Sequence, residues 1–226
     1  MPEPTEPLAP RQAAEIVVET IMQMVQEGRP LMQRVLPEDE QPVFWEHYPD
    51  NDARDVKNLG RWYYHVHPTG DRDKDEHGHF HLFLHRTQLD DDSGEWSEPA
   101  NKSEKRANVV HIAGLSIDHS GIPRSWFVTN RWVTDEWLYP SQKVIDHLPL
   151  YNVDDTAEDR IVNRFLTAMV AMYRGEIADL LKKRDFKFSE IGVSPDNPDN
   201  WENKEHDVLA SIPIDLDAKL EELGLA

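Results

Sequence analysis

Arg61-Trp62-Tyr63-Tyr64-His65-Val66-His67-Pro68 and Glu76-His77-Gly78-His79-Phe80-His81-Leu82-Phe83-Leu84-His85 are the two stretches on which the reading of this chain turns. Six of the 11 histidines, His65, His67, His77, His79, His81 and His85, fall within 21 residues, where random placement would leave about one. All six hold odd positions, while Trp62, Tyr64, Val66, Phe80, Leu82 and Leu84 hold even ones. An extended chain sends alternate side chains to opposite faces. The pattern therefore predicts two strands with an apolar even face and an imidazole-bearing odd face. The intervening PTGDRDKDE reads as a loop. A hairpin across it, with Tyr63 opposite His81, His65 opposite His79 and His67 opposite His77, sets facing Cβ atoms about 4.5 to 5.5 Å apart. A slip of one residue would turn Phe80 and Leu82 away from the core, so apolar burial selects this register.

Outward from the hairpin, Ala107 to Ile117 and Ser125 to Val133 read as further strands, and their short connections predict an antiparallel meander. Ahead of it, Ala14, Val17, Val18, Ile21 and Met24 recur at helical spacing before the stop signal Gly28-Arg29-Pro30. Behind it, Ser141 is expected to cap a short helix and Thr156 a long one reaching Lys183, with Gly175 as a possible break and Asp215 capping a last helix. The expected fold is α+β, with an antiparallel sheet of four or five strands packed on N-terminal and C-terminal helices. Residues 1–10 are expected to form a disordered leader. Residues 11–226 then make a single domain, with the histidine-bearing sheet at about 61–133 and a helical part at about 141–226.

Composition narrows the function. With 43 acidic and 24 basic residues the formal charge is −19, which excludes nucleic-acid binding by general basicity. There is no cysteine, hence no disulfide, thiolate metal site or cysteine nucleophile. No apolar run approaches the length of about 18 residues that suggests a membrane span, and the first residues lack a signal-peptide pattern. The expectation is a cytoplasmic protein with no membrane partner, acting on a small molecule if it acts on anything; its oligomeric state stays open.

Neutral imidazole is a common ligand for zinc, iron, copper and nickel. The expected metal set is drawn from His65, His67, His77, His79 and His81, holding a divalent transition metal whose identity the sequence does not distinguish. Glu76 is the candidate fourth ligand or general base, and His79 the other candidate catalytic residue. His85, His111 and His119 receive no role; Arg61, Arg86, Arg124 and Arg131 are candidates for a local positive field. Two alternatives stand beside a metal site. One is a histidine nucleophile acting on a nucleotide or phosphoester, and the other a non-catalytic binding or pH-sensing protein.

Tyr63-Tyr64-His65-Val66-His67-Pro68 followed by Glu76-His77-Gly78-His79-Phe80-His81-Leu82-Phe83 resembles the signature of an uncharacterised bacterial family, a domain of unknown function. That resemblance implies a cytosolic bacterial protein and names no reaction. His77-Gly78-His79-Phe80-His81-Leu82-Phe83 is also similar to the histidine-triad nucleotide hydrolases and transferases, which implies His79 as nucleophile. Gly78 replaces an apolar residue of that pattern, and some 140 residues follow a motif that normally lies near the domain's end. Gly60 and His65-x-His67 with Glu76 share pieces of a cupin metal motif at altered spacing, in a chain with too few predicted strands for that barrel.

Overall fold

The computed structural model describes residues 7–38, 41–68, 70–89, 93–101, 108–192 and 201–225. Its centre is one antiparallel meander of six strands in sequence order: β1 (Tyr48–Arg54), β2 (Arg61–His65), β3 (Glu76–His85), β4 (Val109–Asp118), β5 (Pro123–Thr129) and β6 (Val208–Pro213). The expected four or five strands become six because the sheet extends by one strand at each edge. The first edge, YPDNDAR, is built of residues that strands usually avoid; a polar edge of this kind also discourages pairing with other chains. The other, VLASIP, is a short strand next to a capped helix.

Between β2 and β3 the register is Tyr63↔His81 and His65↔His79, as the alternation requires. The ladder ends there, so the expected His67↔His77 pair does not form. Two irregularities between β3 and β4 decide what faces what. Glu76 pairs with Asp118 and Gly78 with Ile117, leaving His77 as the extra residue of a bulge. Leu82 pairs with Ala113 and Phe83 with His111, leaving Ile112 extra on β4. A bulge re-aims the side chains around it. The first brings Glu76 to the histidine face, and the second brings His111 there beside Phe83.

The even face of the hairpin, with Trp62, Tyr64, Phe80, Leu82 and Leu84, belongs to the main core together with α1 (Pro10–Gln26), α5 (Arg160–Met172) and α6 (Arg174–Glu190). In α1, proline occupies the first turn, where its missing N–H costs nothing, and Gly28 past the end takes φ +62°. The remaining helices are short: α2 (Leu31–Val35), α3 (Arg131–Thr134), α4 (Ser141–His147) and α7 (Leu216–Glu222). Helix α3 occupies the end of the segment expected to continue the fourth strand.

The long helix expected from Thr156 to Lys183 is two helices. It is capped by Asp159, whose Oδ1 accepts from the Ile161 and Val162 amides, and it breaks at Tyr173 rather than at Gly175. Tyr173 is tied by tertiary contacts, its ring against Trp126 and its hydroxyl donating to the Asp215 carbonyl. Asp215 caps α7 as expected; Ser141 opens α4 as its first residue, its N–H donating to Asp185. The expected leader falls mainly on residues 1–6, outside the described ones. No helix among the described residues is long and apolar enough to cross a membrane.

Candidate metal centre

Three imidazoles converge on the odd face. One ring nitrogen from each of His65, His79 and His81 lies within 4.8 Å of the others, and all three residues are buried. Strand pairing places His65 against His79, and the two-residue period places His81 beside His79. The Nε2 atoms of His65 and His79 are 2.5 Å apart, and His67 brings its own Nε2 to 3.3 Å from that of His65.

Hydrogen bonds on the far sides of the rings assign the tautomers. Nδ1 of His79 lies 2.8 Å from Glu76 Oε1, and Glu76 Oε2 accepts from Ser116 Oγ at 2.5 Å. A carboxylate only accepts, so His79 carries its proton on Nδ1 and presents a lone pair at Nε2. Nδ1 of His67 lies 2.6 Å from Asp71 Oδ2, with the same consequence. Nδ1 of His81 is 3.0 Å from Nε2 of His111. His111 also meets the Ala113 backbone, a contact that favours its protonated form against the effect of burial. One proton lies between His81 Nδ1 and His111 Nε2 in this contact. The remaining nitrogen of His81, Nε2, is buried with no hydrogen-bond partner among the described residues.

Burial governs the electrostatics. It holds His79 and His81 far below the ordinary imidazole pKa, with neighbouring His65 and His79 respectively adding to the effect. It pushes His111 down to about 3, so His79, His81 and His111 are neutral at physiological pH. Burial also raises Glu76 against the opposing pull of Ser116 and Arg72. Behind His111, the Glu136 carboxylate accepts the His111 amide at 2.6 Å, and burial raises it to about 7. This contact supports the β4 bulge.

The predicted site residues separate into two sets. His65, His79 and His81 form the inner group, His67 stands at its edge, and Glu76 holds His79 from behind with both oxygens engaged. His77 does not join them. As the extra residue of the bulge it turns to Tyr64, its Nδ1 2.7 Å from the hydroxyl, with the His119 ring beyond. Gly78 permits this crossing: a Cβ there would lie 2.5 Å from the Tyr64 hydroxyl and 2.4 Å from the His65 carbonyl oxygen. His85 is occupied locally with Thr87.

The cation at the site is not one of the four arginines expected from sequence. Arg61 pairs with Asp52, Arg86 lies over Trp137, Arg124 is beside Asp75, and Arg131 pairs with Asp135 and Glu202. Arg72 acts on His67, His79 and His81 and lies over the Phe127 ring, itself 4.9 Å from His79. Trp45 packs edge-on against His67 at 4.2 Å, and His47 stacks on Tyr63 beside His65. Sequence reasoning missed Arg72, Trp45, Asp71 and Ser116 because the loops and β4 bring them in. For His111 parity was no guide, since the bulge reverses it.

Three buried imidazoles, each with one ring nitrogen within 4.8 Å of the others, could hold a divalent transition metal, imidazole being a common donor to zinc, iron, copper and nickel. The His79–Glu76 pair is the carboxylate–histidine arrangement that orients metal-binding rings. In comparison with known proteins, the family described as a domain of unknown function, DUF6969, matches residues 11–214. No curated protein and no solved structure matches the chain.

Proposed function

The chain belongs to the DUF6969 family, a domain of unknown function, and from that premise we propose that it is a divalent transition-metal protein, with His65, His79 and His81 as ligands and a small-molecule reaction as its work. The observation that carries this reading is the fully buried Nε2 of His81, which has no hydrogen-bond partner among the described residues and belongs to a residue of the buried three-histidine group. A buried polar atom without a partner costs about 1–3 kcal/mol. The Nε2 atoms of His65 and His79 stand 2.5 Å apart, sharing one proton in a hydrogen bond when no ion is present and placed so that one cation could draw both lone pairs. A bound metal would supply Lewis acidity and lower the pKa of a coordinated water. Glu76 would orient His79. His67, paired with Asp71 at the rim, would hold or pass a proton. A cytoplasmic address accords with this reading.

Elemental analysis of protein purified without a histidine tag tests it. About one equivalent of metal in the wild type, lost in His79→Ala and retained in His77→Ala, is expected; negligible metal in the wild type after exposure to zinc, iron, copper and nickel would end it.

A nucleophilic role for His79 has one observation in its favour, since Glu76 on Nδ1 would activate Nε2 for attack. Against it, Nε2 faces His65 and the residue is only 1 % exposed. Chelator-insensitive labelling of His79 by a nucleotide would favour this second reading.

A further inference from the structure

The rim of the histidine group carries two features that the metal site itself does not use. The first is Arg72. Its guanidinium lies 5.1 Å over the Phe127 ring, and its nearest carboxylates, Glu76 at 3.8 Å and Asp207 at 3.7 Å, stand beyond hydrogen-bond distance. Its Nε is buried and has no hydrogen-bond partner among the described residues. A guanidinium offers five donors in a planar fork that matches a carboxylate. The second feature is the segment Val43-Phe44-Trp45, three consecutive apolar residues that are 59 %, 50 % and 55 % exposed. Trp45 holds φ +70°, a left-handed conformation that a bulky side chain rarely takes. It is fixed there by its N–H donating to Val66 and by its edge contact with His67. A residue held in a left-handed conformation that keeps an aromatic ring in water beside a histidine group is the kind of strained position found at ligand-binding sites.

The donor set points the same way. Three neutral imidazoles leave the charge of a divalent ion uncompensated, and such a centre favours an anionic fourth ligand. Arg72 adds a second positive charge on the same side of the sheet.

We propose that the substrate is a small carboxylate with an apolar, flat body: its carboxylate seats between the histidine-held metal and the Arg72 fork, and its body lies against Trp45. This proposal rests on the metal-site reading and assigns its substrate class.

Calorimetric titration of the zinc-loaded full chain with benzoate, benzamide and acetate tests it, with zinc content measured on every sample. Benzoate should bind at least about tenfold more tightly than benzamide, which lacks the charge, and than acetate, which lacks the body. Arg72→Gln should weaken benzoate about tenfold or more at unchanged zinc content. Trp45→Gly, which relieves the positive φ and so leaves the fold unchallenged, should lower benzoate affinity towards that of acetate. Wild-type protein that takes up no zinc or other divalent metal fails the metal-site reading and this proposal with it. Zinc-loaded protein that binds benzamide as well as benzoate, or loses no benzoate affinity in Arg72→Gln and Trp45→Gly, overturns this proposal alone.

Discussion

The two faces of the β2–β3 hairpin come from one alternating sequence and are equally dry, yet they are held by opposite physics. On the even side Trp62, Tyr64, Phe80 and Leu82 are almost fully buried, and the polar atoms they carry are matched: the Trp62 indole donates to Asn163, and the Tyr64 hydroxyl meets His77. Burial there stabilises by about 25 cal/mol per Å² of apolar surface. On the odd side His65, His79 and His81 are nearly as buried, but each ring brings two polar nitrogens, and one of them, His81 Nε2, has no partner among the described residues. Hydrogen bonds offset most of the burial cost on that side, and the unmatched nitrogen of His81 leaves a remainder that a bound cation would offset. One face makes the fold; the other carries the buried histidine group that could hold a metal.

The strongest way to break this contrast is to truncate each face and read both metal and stability. His81→Ala should lose metal by at least about a hundredfold in affinity, as removing one of three ligands demands. In the metal-free state the same variant should be far less damaging than a core truncation. Phe80→Ala, on the opposite face of the same strand, should cost about 3–5 kcal/mol in urea unfolding, with metal stoichiometry preserved in the folded fraction. Equal stability losses with no difference in metal affinity would erase the distinction.

Glu76→Gln sharpens the contrast further. It keeps the size of the side chain but replaces a carboxylate that receives the His79 Nδ1 proton. Metal affinity should fall about 10–100-fold, measured by competition with a chelator. Unchanged affinity would mean that Glu76 does not orient the ring. Gly78→Ala probes the seam between the faces, because its Cβ would collide with the His65 carbonyl and the Tyr64 hydroxyl. A loss of about 1–3 kcal/mol is expected, and wild-type stability would contradict the close approach.

The smallest of these effects is the pH dependence of the metal-free protein. Burial holds His79, His81 and His111 below the ordinary imidazole value, His111 at about 3. In the unfolded chain these rings take up protons near pH ~6.5. The folded chain resists doing so, and their contribution to stability is therefore full above about pH 6.5 and declines as pH falls from there towards the folded values. Urea unfolding from about pH 8 to about pH 5 should show that decline, partly masked by the opposite trend of the raised Glu76 and Glu136. Stability unchanged in both wild type and His111→Gln would contradict it.

How much of this was legible in the sequence follows the same division. The pairing of Tyr63 with His81 and His65 with His79 could be read because apolar burial and side-chain period fix it together. The two bulges could not: an extra residue at His77 or Ile112 leaves no mark in a pattern read strand by strand. They are why His77 leaves the expected ligand set and why Glu76 and His111 enter the odd face. The polar edge strand β1 carries no hydrophobic alternation to read, and the break at Tyr173 is set by packing against Trp126. Arg72 and Trp45 reach the site on loops, where spacing along the chain says nothing about proximity.

The most direct test is an anomalous-difference map from crystals of the chain loaded with zinc. A single strong peak within about 2.0–2.2 Å of nitrogens from His65, His79 and His81 is the result this account predicts. A map with no peak among those three rings, or with zinc bound only at surface carboxylates and His77, would contradict it.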